Sequence, residues 1–169
     1  MTEWTSLALV QPKRSRRWEI RRGDELLASL QLPALRRGGR AEVEGRELTI
    51  EAHGLFRVEH VLRDQVTREQ AARIRPEGRR QVIELAGREL EWRSLGRGKG
   101  HGVVGPDGEP LLRAKVTSGV LRTNGELWAV AGLSDGDARL LALLASYLLI
   151  RKAEETAAVA SSGATAGGV

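Results

Sequence analysis

A glycine-rich run, Gly96-Arg-Gly-Lys-Gly-His-Gly102, has the residue types of an anion-binding loop. Successive backbone N–H groups in such a run can form a concave nest for phosphate, and Arg97, Lys99 and His101 would add positive charge. The run is not a P-loop, because Gly100 rather than Ser or Thr follows Lys99 and no helix is predicted next. It also lacks the glycine spacing of a dinucleotide fingerprint. A flexible hairpin loop is the simpler interpretation, and phosphate binding by Arg97 and Lys99 is the functional one.

A basic stretch between Gln11 and Asp24 is the second candidate for anion binding. It holds six basic residues against Glu19 and Asp24, a local charge of +4 in a chain of net charge +5. Such a surface would attract the phosphates of an anionic membrane or of a nucleic acid, and each basic group near an anionic leaflet contributes about 1 kcal/mol. A solvated sheet face is the alternative interpretation. The candidates are Lys13, Arg14, Arg16, Arg17, Arg21 and Arg22.

Binding of single-stranded nucleic acid also requires aromatic side chains that stack on bases beside the basic groups. Most of the aromatic residues fall on predicted strands or on the predicted helix, where core packing is the simpler role. Trp18 lies within the basic stretch, but strand alternation places it inward beside Ile20, where it could not stack on a base. Nucleic acid is therefore the alternative partner. The six aromatic residues are Trp4, Trp18, Phe56, Trp92, Trp128 and Tyr147.

Catalytic and metal chemistry have little support in this sequence. The chain has no cysteine, which excludes disulfide scaffolds, zinc ribbons, iron–sulfur clusters and thiol nucleophiles. None of the three histidines, His53, His60 and His101, has a second ligand at metal-binding spacing. The sequence also lacks a Gly-x-Ser-x-Gly elbow and a carboxylate pair marked by its context. We therefore expect a protein that is not an enzyme and that uses no metal and no cofactor.

The N-terminal residues lack the pattern of a secretory signal. The strongest apolar run, Leu140–Ile150, has eleven residues, whereas a helix that spans a bilayer needs about 20. These features predict a cytoplasmic protein that would meet a membrane only at its periphery.

Up to Ser134 the sequence has the pattern of short strands separated by Gly, Pro, Asn and Asp. In 47–52, for example, Leu48 and Ile50 share one face, and Phe56 and His60 share a face in 55–62. The turn dipeptides Asp107-Gly108 and Asn124-Gly125 predict two hairpins, 101–104 with 110–116 and 120–123 with 126–131. The predicted strands are 4–10, 16–22, 25–32, 40–44, 47–52, 55–62, 71–75, 80–86, 89–95, 101–104, 110–117 and 120–131.

A single hydrophobic helix is predicted after the strands, over about residues 137–152. Ser134-Asp-Gly-Asp137 supplies capping and early-turn acids, and Arg151-Lys152 suits the C-terminal end of the helix dipole. Within 138–150 the polar side chains are Arg139, Ser146 and Tyr147, so the helix is apolar on every side and must be surrounded. A closed sheet of about 12 strands has room for a helix about 10 Å across.

The predicted fold class is therefore α+β, mostly β: a closed antiparallel β-barrel of about 12 strands around one C-terminal hydrophobic helix. A single domain would cover 1–152. Residues 153–169 are rich in Ala, Ser and Gly and are predicted to form a disordered tail.

This arrangement resembles the tubby C-terminal-like superfamily, which includes phospholipid-scramblase-like and LURP-one-related proteins. The resemblance covers about residues 4–152 and is carried by the order of elements, the recurring Gly-initiated hairpins, the segment His101–Leu112 and the final Leu/Ala-rich helix. It implies a twelve-stranded barrel around a hydrophobic helix, with membrane, phosphoinositide-binding or regulatory roles in some members. No stretch aligns with the basic phosphoinositide pocket of tubby, so no functional residue is transferred. The features that link scramblases to calcium and to palmitoylated cysteine are missing, which argues against lipid translocation.

The function expected from the sequence is that of a non-catalytic, tubby-like binding module. Its partner would be an anionic membrane lipid or another protein. The alternative is a nucleic-acid-binding protein that uses the Arg-rich surface.

Overall fold

A computed structural model describes residues 2–12, 15–34, 36–118 and 123–163. These residues form twelve strands and one helix. The strands are β1 Trp4–Val10, β2 Arg17–Arg22, β3 Glu25–Gln31, β4 Gly39–Val43, β5 Arg46–His53, β6 Glu59–Asp64, β7 Gln70–Glu77, β8 Arg80–Leu85, β9 Arg88–Ser94, β10 His101–Val104, β11 Pro110–Ser118 and β12 Asn124–Val130, and the helix is α1 Asp135–Gly163.

The strands form one closed barrel in which each strand pairs with its neighbours in the sequence. All neighbouring pairs are antiparallel, and β1 closes the barrel on β12 through pairs such as Trp4 with Val130. The hairpin of β10 and β11 is as predicted, with His101 opposite Ala114. The structure thus confirms the predicted fold class, a closed antiparallel barrel of twelve strands with one C-terminal helix.

Strand alternation sends one set of side chains into the barrel. On β2, Trp18 and Ile20 are 2% and 0% exposed, so Trp18 points inward as predicted. Its indole Nε1 donates a hydrogen bond to the carbonyl of Thr123 at 3.0 Å. On β5, Leu48 and Ile50 are likewise buried. Two tryptophans depart from the expected core position and lie half-buried on the outer face: Trp128 stands between buried Leu127 and Ala129, and Trp4 lies on the face of β1 opposite to buried Leu7 and Leu9.

The first half of α1 fills the barrel. Nine of its residues are buried, among them Leu141, Leu143 and Ile150 with no exposed surface. The two polar side chains within this buried segment both have hydrogen-bond partners. Ser146 Oγ donates to the carbonyl of Ala142 at 2.7 Å, and the hydroxyl of Tyr147 accepts a hydrogen bond from the amide of Gly38 at 3.4 Å. The helix is apolar on every side because the sheet surrounds it.

The helix runs through the barrel from one end to the other. At the end where α1 begins, here called the near end, Ser134 Oγ accepts the amide of Asp137 at 3.1 Å, which is the predicted N-cap. At the opposite or far end, Arg151 Nη2 donates to the carbonyls of Arg36 and Gly38, at 2.9 and 2.8 Å. The helix thereby joins the turn between β12 and α1 to the loop between β3 and β4.

Helix α1 is longer than predicted. The predicted tail begins at residue 153, but the helix continues to Gly163, and residues 155–163 are exposed. A helix already formed inside the barrel extends easily through Ala-rich sequence, because only its first turn carries the cost of nucleation. The remainder of the predicted tail, 164–169, lies outside the described residues.

Two local predictions are wrong. Leu55 and Phe56 were expected on a strand, but they are 85% and 99% exposed in the loop before β6. The chain leaves the sheet at Gly54, whose φ of +99° and close approach to the carbonyl of Arg57 define a tight turn. Asn124-Gly125 is not a turn but the start of β12, where Gly125 pairs with Val116. The rest of that predicted hairpin, 119–122, lies outside the described residues.

Candidate functional site at the far end of the barrel

Six loops lie together at the far end of the barrel because of the strand order. Because every strand is antiparallel to the next, loops that follow odd-numbered strands all lie at the end where α1 leaves the barrel. Loops that follow even-numbered strands lie at the near end. The far-end loops are 11–16, 32–38, 54–58, 78–79, 95–100 and 119–123.

The sequences of the far-end loops carry ten basic residues and no acidic one. The structure describes seven of the ten, while Lys13, Arg14 and Arg122 lie outside the described residues. The near-end loops show the opposite balance, with five acidic residues against Arg68, and Asp135 and Asp137 add to it in the first turn of α1. The charge is therefore divided along the barrel axis. The far-end cations are Lys13, Arg14, Arg16, Arg36, Arg37, Arg57, Arg79, Arg97, Lys99 and Arg122.

Six of these cations are exposed and free of acidic partners. Within the described ranges, no carboxylate lies within 4.0 Å of the charged groups of Arg36, Arg37, Arg57, Arg79, Arg97 or Lys99. Arg16 differs, because it pairs with Glu154 and donates to the carbonyl of Leu32 at 2.9 Å. Unpaired cations keep their full positive potential for an anionic partner.

Several arginines on the barrel wall, by contrast, are paired with carboxylates. Arg73 binds Glu59 at 2.7 Å, and Arg75 contacts Glu84 and Glu89 at 2.9 and 2.6 Å. The hydrogen bonds that Arg75 donates to Glu84, then to Glu77 and Glu89, raise the pKa of Arg75. The solvated sheet face that the sequence suggested for its many arginines is therefore found where these ion pairs lie on the wall. The exposed far-end cations differ because they lack carboxylate partners among the described residues.

An exposed apolar pair lies among the far-end cations. Leu55 and Phe56 occupy the tip of the loop between β5 and β6 and are 85% and 99% exposed, with Arg57 directly after them. Phe56 is the one aromatic residue in the sequences of the six far-end loops. Large side chains this exposed lose most of their contact with the protein, so the barrel itself gives no reason for their position.

The loop between β3 and β4 is held in place by the helix. Arg151 binds its carbonyls, Tyr147 binds its Gly38 amide, and Gly38 lies close against the carbonyl of Ile50 with a φ of +88°. A Cβ at Gly38 would collide with that carbonyl, so glycine is required there. The filled core thus fixes the backbone that presents Arg36 and Arg37.

Two histidines lie beneath the far end. His60 packs edge-on against Tyr147, with ring centroids 5.2 Å apart. Burial, followed by the charges of Arg151 and Arg37, lowers the pKa of His60 to about 4, so the imidazole is neutral at pH 7. His101 stacks on Trp92, and its Nε2 lies 2.7 Å from Nζ of Lys152. Burial, and then the charge of Lys152, lowers the pKa of His101.

The glycine-rich run forms the loop between β9 and β10. Several of its amides are used within the loop itself: Lys99 N donates to the carbonyl of Gly96 at 3.1 Å, and Leu95 N donates to that of Gly100 at 3.0 Å. His101 points toward α1 rather than to the loop. Arg97 and Lys99 remain exposed. The run therefore contributes side-chain charge to the far end more than a backbone nest.

The structure divides the sequence-predicted residues between the two ends. Arg16, Arg17, Arg97 and Lys99 lie at the far end. Strand β2 then carries the chain away over about 17 Å, at about 3.3 Å per residue. Arg22 at its near end pairs with Glu25 at 2.8 Å. Arg21 pairs with Glu19 at 2.6 Å.

Sequence reasoning missed Arg36, Arg37 and Arg57, which stand alone or in twos along the chain. Local charge density does not find them. The alternation of hairpin loops could have found Arg36 and Arg37, which follow the third predicted strand, but Arg57 lies within the segment 55–62 that was predicted as a strand.

No helix within the described part of the chain has both the length and the apolar character needed to cross a bilayer. Comparison with protein-family models, with curated proteins and with solved structures finds no match to this chain.

Proposed function

We propose that this protein is a non-catalytic binding module that attaches to anionic membrane surfaces through the far end of its barrel. The single observation that supports this function is the set of six loops with ten basic residues, no acidic residue and an exposed Leu55-Phe56 pair. In this proposal the protein is tubby-like, cytoplasmic and peripheral to the membrane.

The far end has the chemistry of a bilayer interface. Each cation near an anionic leaflet contributes about 1 kcal/mol, and the attraction acts over roughly a Debye length. Apolar side chains can enter the headgroup and acyl boundary, and burying a Leu or Phe side chain fully contributes about 1.5–3 kcal/mol. Leu55 and Phe56 are placed to enter while Arg57 stays at the headgroups, so the two contributions add at one loop.

Nucleic acid suits this surface less well. Binding of a single strand relies on several aromatic platforms along a basic groove. The far-end loops offer Phe56 alone, and Trp18 is buried. An acidic protein partner would be attracted by the same charge, but charge attraction alone would not explain the exposed apolar pair Leu55-Phe56.

A catalytic role is not part of the proposal. The interior of the barrel, where barrels of this size can hold a ligand, is occupied by Leu141, Leu143 and Ile150. The proposed activity needs neither a metal nor a cofactor, because charge and apolar insertion supply the binding free energy.

Sedimentation with vesicles tests the function. We expect the chain to bind vesicles that contain phosphatidylserine, to ignore phosphatidylcholine vesicles, and to be released by salt. Replacing Leu55 and Phe56 together by Ser is expected to weaken binding at least about tenfold, from the lost insertion. Val66→Ser is the matched control, since Val66 is 87% exposed in a near-end loop.

Two outcomes would refute the function. One is the absence of binding to anionic vesicles at low salt. The other is equal binding to both kinds of vesicle. Retained capture of an acidic protein or of RNA in the absence of vesicle binding would point instead to one of the alternative partners.

A further inference from the structure

The outer wall of the barrel carries a second group of unpaired cations, and here they surround tryptophan. Arg113 on β11 lies opposite Trp128 on β12, and Trp4 stands on the neighbouring strand β1. These side chains point outward, because the residues beside them, Leu112, Ala114 and Leu127, are buried. Together with Leu95 and Lys99 they border a groove of about 580 Å³.

The groove exists because a loop folds back onto the wall. Gly102 occupies an outward position on β10, opposite Arg113. A Cβ there would lie 2.9 Å from Cδ1 of Leu95 and 2.8 Å from the carbonyl of Leu112. Only glycine leaves room for Leu95 to lie against the strand. Lys99, in the same loop, also borders the groove. The loop between β9 and β10 thus forms the second side of the groove, and it does so because β10 has a glycine, which packs poorly in a strand, at position 102.

The charge of the groove has one sign. Lys99, Arg113 and Lys115 border it, and the part of the chain that the structure describes places no carboxylate within 4.0 Å of their charged groups. The groove along β8 and β9 is different, because Arg80 and Arg88 alternate there with Glu77, Glu89 and Glu91. The basic side chains that border this groove have no carboxylate in its lining, and that charge favours an anionic occupant.

Aromatic surface accompanies the charge. The guanidinium carbon of Arg113 lies 4.5 Å from the centre of the Trp4 ring. A guanidinium stacked on a ring keeps its N–H groups free at its edge, where they can bind an oxyanion. Trp128 and Leu95 supply apolar surface beside it. The volume falls in the usual range of small-molecule sites, about 300–1,000 Å³.

From this we propose that the wall groove binds a small anion with a flat aromatic body, its oxyanion on Arg113 and Lys115 and its ring against Trp128. This site shares Lys99 with the far-end surface, but its proposed anion contacts Arg113 and Lys115 lie on the wall, so the inference does not depend on the membrane function. The contributions of the oxyanion and of the ring can be separated with three related probes: adenosine monophosphate, adenosine and inorganic phosphate.

Tryptophan fluorescence measures binding directly, because Trp4 and Trp128 are half-buried at the groove whereas Trp18 and Trp92 are buried in the barrel. We expect adenosine monophosphate to quench saturably at low salt. Adenosine, which lacks the anion, is expected to bind at least about tenfold more weakly. Inorganic phosphate, which lacks the ring, is expected to compete with adenosine monophosphate only at concentrations at least about tenfold higher.

The double variant Arg113→Gln/Lys115→Gln is expected to weaken adenosine monophosphate binding at least about tenfold. Arg63→Gln/Arg80→Gln, with the same change of charge on another part of the wall, is the control and should bind as the original chain does. Circular dichroism confirms that both variants are folded. The inference is overturned if adenosine monophosphate gives no saturable quenching, if phosphate competes equally well, or if the two double variants bind alike. Loss of vesicle binding with retained quenching would refute the membrane function alone.

Discussion

Replacing Arg36, Arg37 and Arg57 together by Gln should lower the affinity for phosphatidylserine vesicles about a hundredfold. Each of these cations is exposed and unpaired among the described residues, and each contributes about 1 kcal/mol near an anionic leaflet. Three such losses give about 3 kcal/mol, and a factor of ten in affinity corresponds to about 1.4 kcal/mol. The loops that carry them are neighbours on the rim, because β4 pairs with β5. Vesicle sedimentation over a range of lipid concentrations measures the change.

The matched control removes the same charge from the wall. Arg63, Arg73 and Arg75 contact Glu51, Glu59 and Glu84 and lie within strands of the wall rather than in the far-end loops. Their replacement by Gln is expected to change vesicle affinity only a few fold, through net charge at a distance. Equal losses in the two triple variants would mean that net charge rather than the far end determines binding.

Shortening Leu143 to Ala should lower the free energy of unfolding by about 3 kcal/mol, within the range of about 2–5 kcal/mol for buried Leu. Leu143 has no exposed surface and lies in the segment of α1 that the strands enclose. The loss combines the transfer of the removed methyl and methylene groups with a cavity that a closed barrel cannot easily collapse. Chemical denaturation followed by circular dichroism gives the difference.

Val159 provides the control on the same helix. It is 73% exposed, beyond the point where α1 leaves the barrel. Val159→Ala is expected to change the free energy of unfolding by less than about 0.5 kcal/mol, as surface substitutions usually do. Similar effects at both positions would contradict the enclosed position of the helix.

The barrel could be predicted from local chemistry because two simple periodicities dominate it. Strand alternation placed Trp18, Leu48 and Ile50 on the inner face. The helix could be placed inside because a sheet-bound surface helix would need a polar face, which residues 138–150 lack. The errors occurred where a single glycine or a long-range strand pairing overrides the local sequence pattern. Gly54 ends the strand pattern before Phe56, and pairing with β11 draws Asn124-Gly125 into a strand despite its turn propensity.

The far-end site could be predicted only in part, because it is assembled by topology rather than by neighbouring residues. Lys13 to Arg22 attracts attention as a dense basic stretch, yet β2 carries Arg21 and Arg22 away to acidic partners. Arg57 is a single cation in the sequence, and it becomes a neighbour of the other far-end cations only when the barrel closes. The outward direction of Trp4 and Trp128 likewise depends on the register of β1, β11 and β12.

The core and the surface are linked through the end of the helix. Tyr147 and Arg151 hold the loop between β3 and β4, and the same two residues contact or influence His60. A rigid frame lowers the entropy lost when the loops meet a flat anionic surface. The filled barrel therefore serves as a scaffold that presents cations at fixed positions.

The proposed membrane contact of the far end can be tested most directly with single spin labels, since the chain has no cysteine of its own. One label is placed by Phe56→Cys at the far end and another by Asp107→Cys at the near end, and each is read on phosphatidylserine vesicles. Accessibility to oxygen, which concentrates in lipid, is compared with accessibility to a water-soluble nickel complex. We expect the label at position 56 to move into lipid and the label at 107 to stay in water. A bound protein in which the label at 56 stays in water, or the label at 107 enters lipid, would contradict docking through the far end.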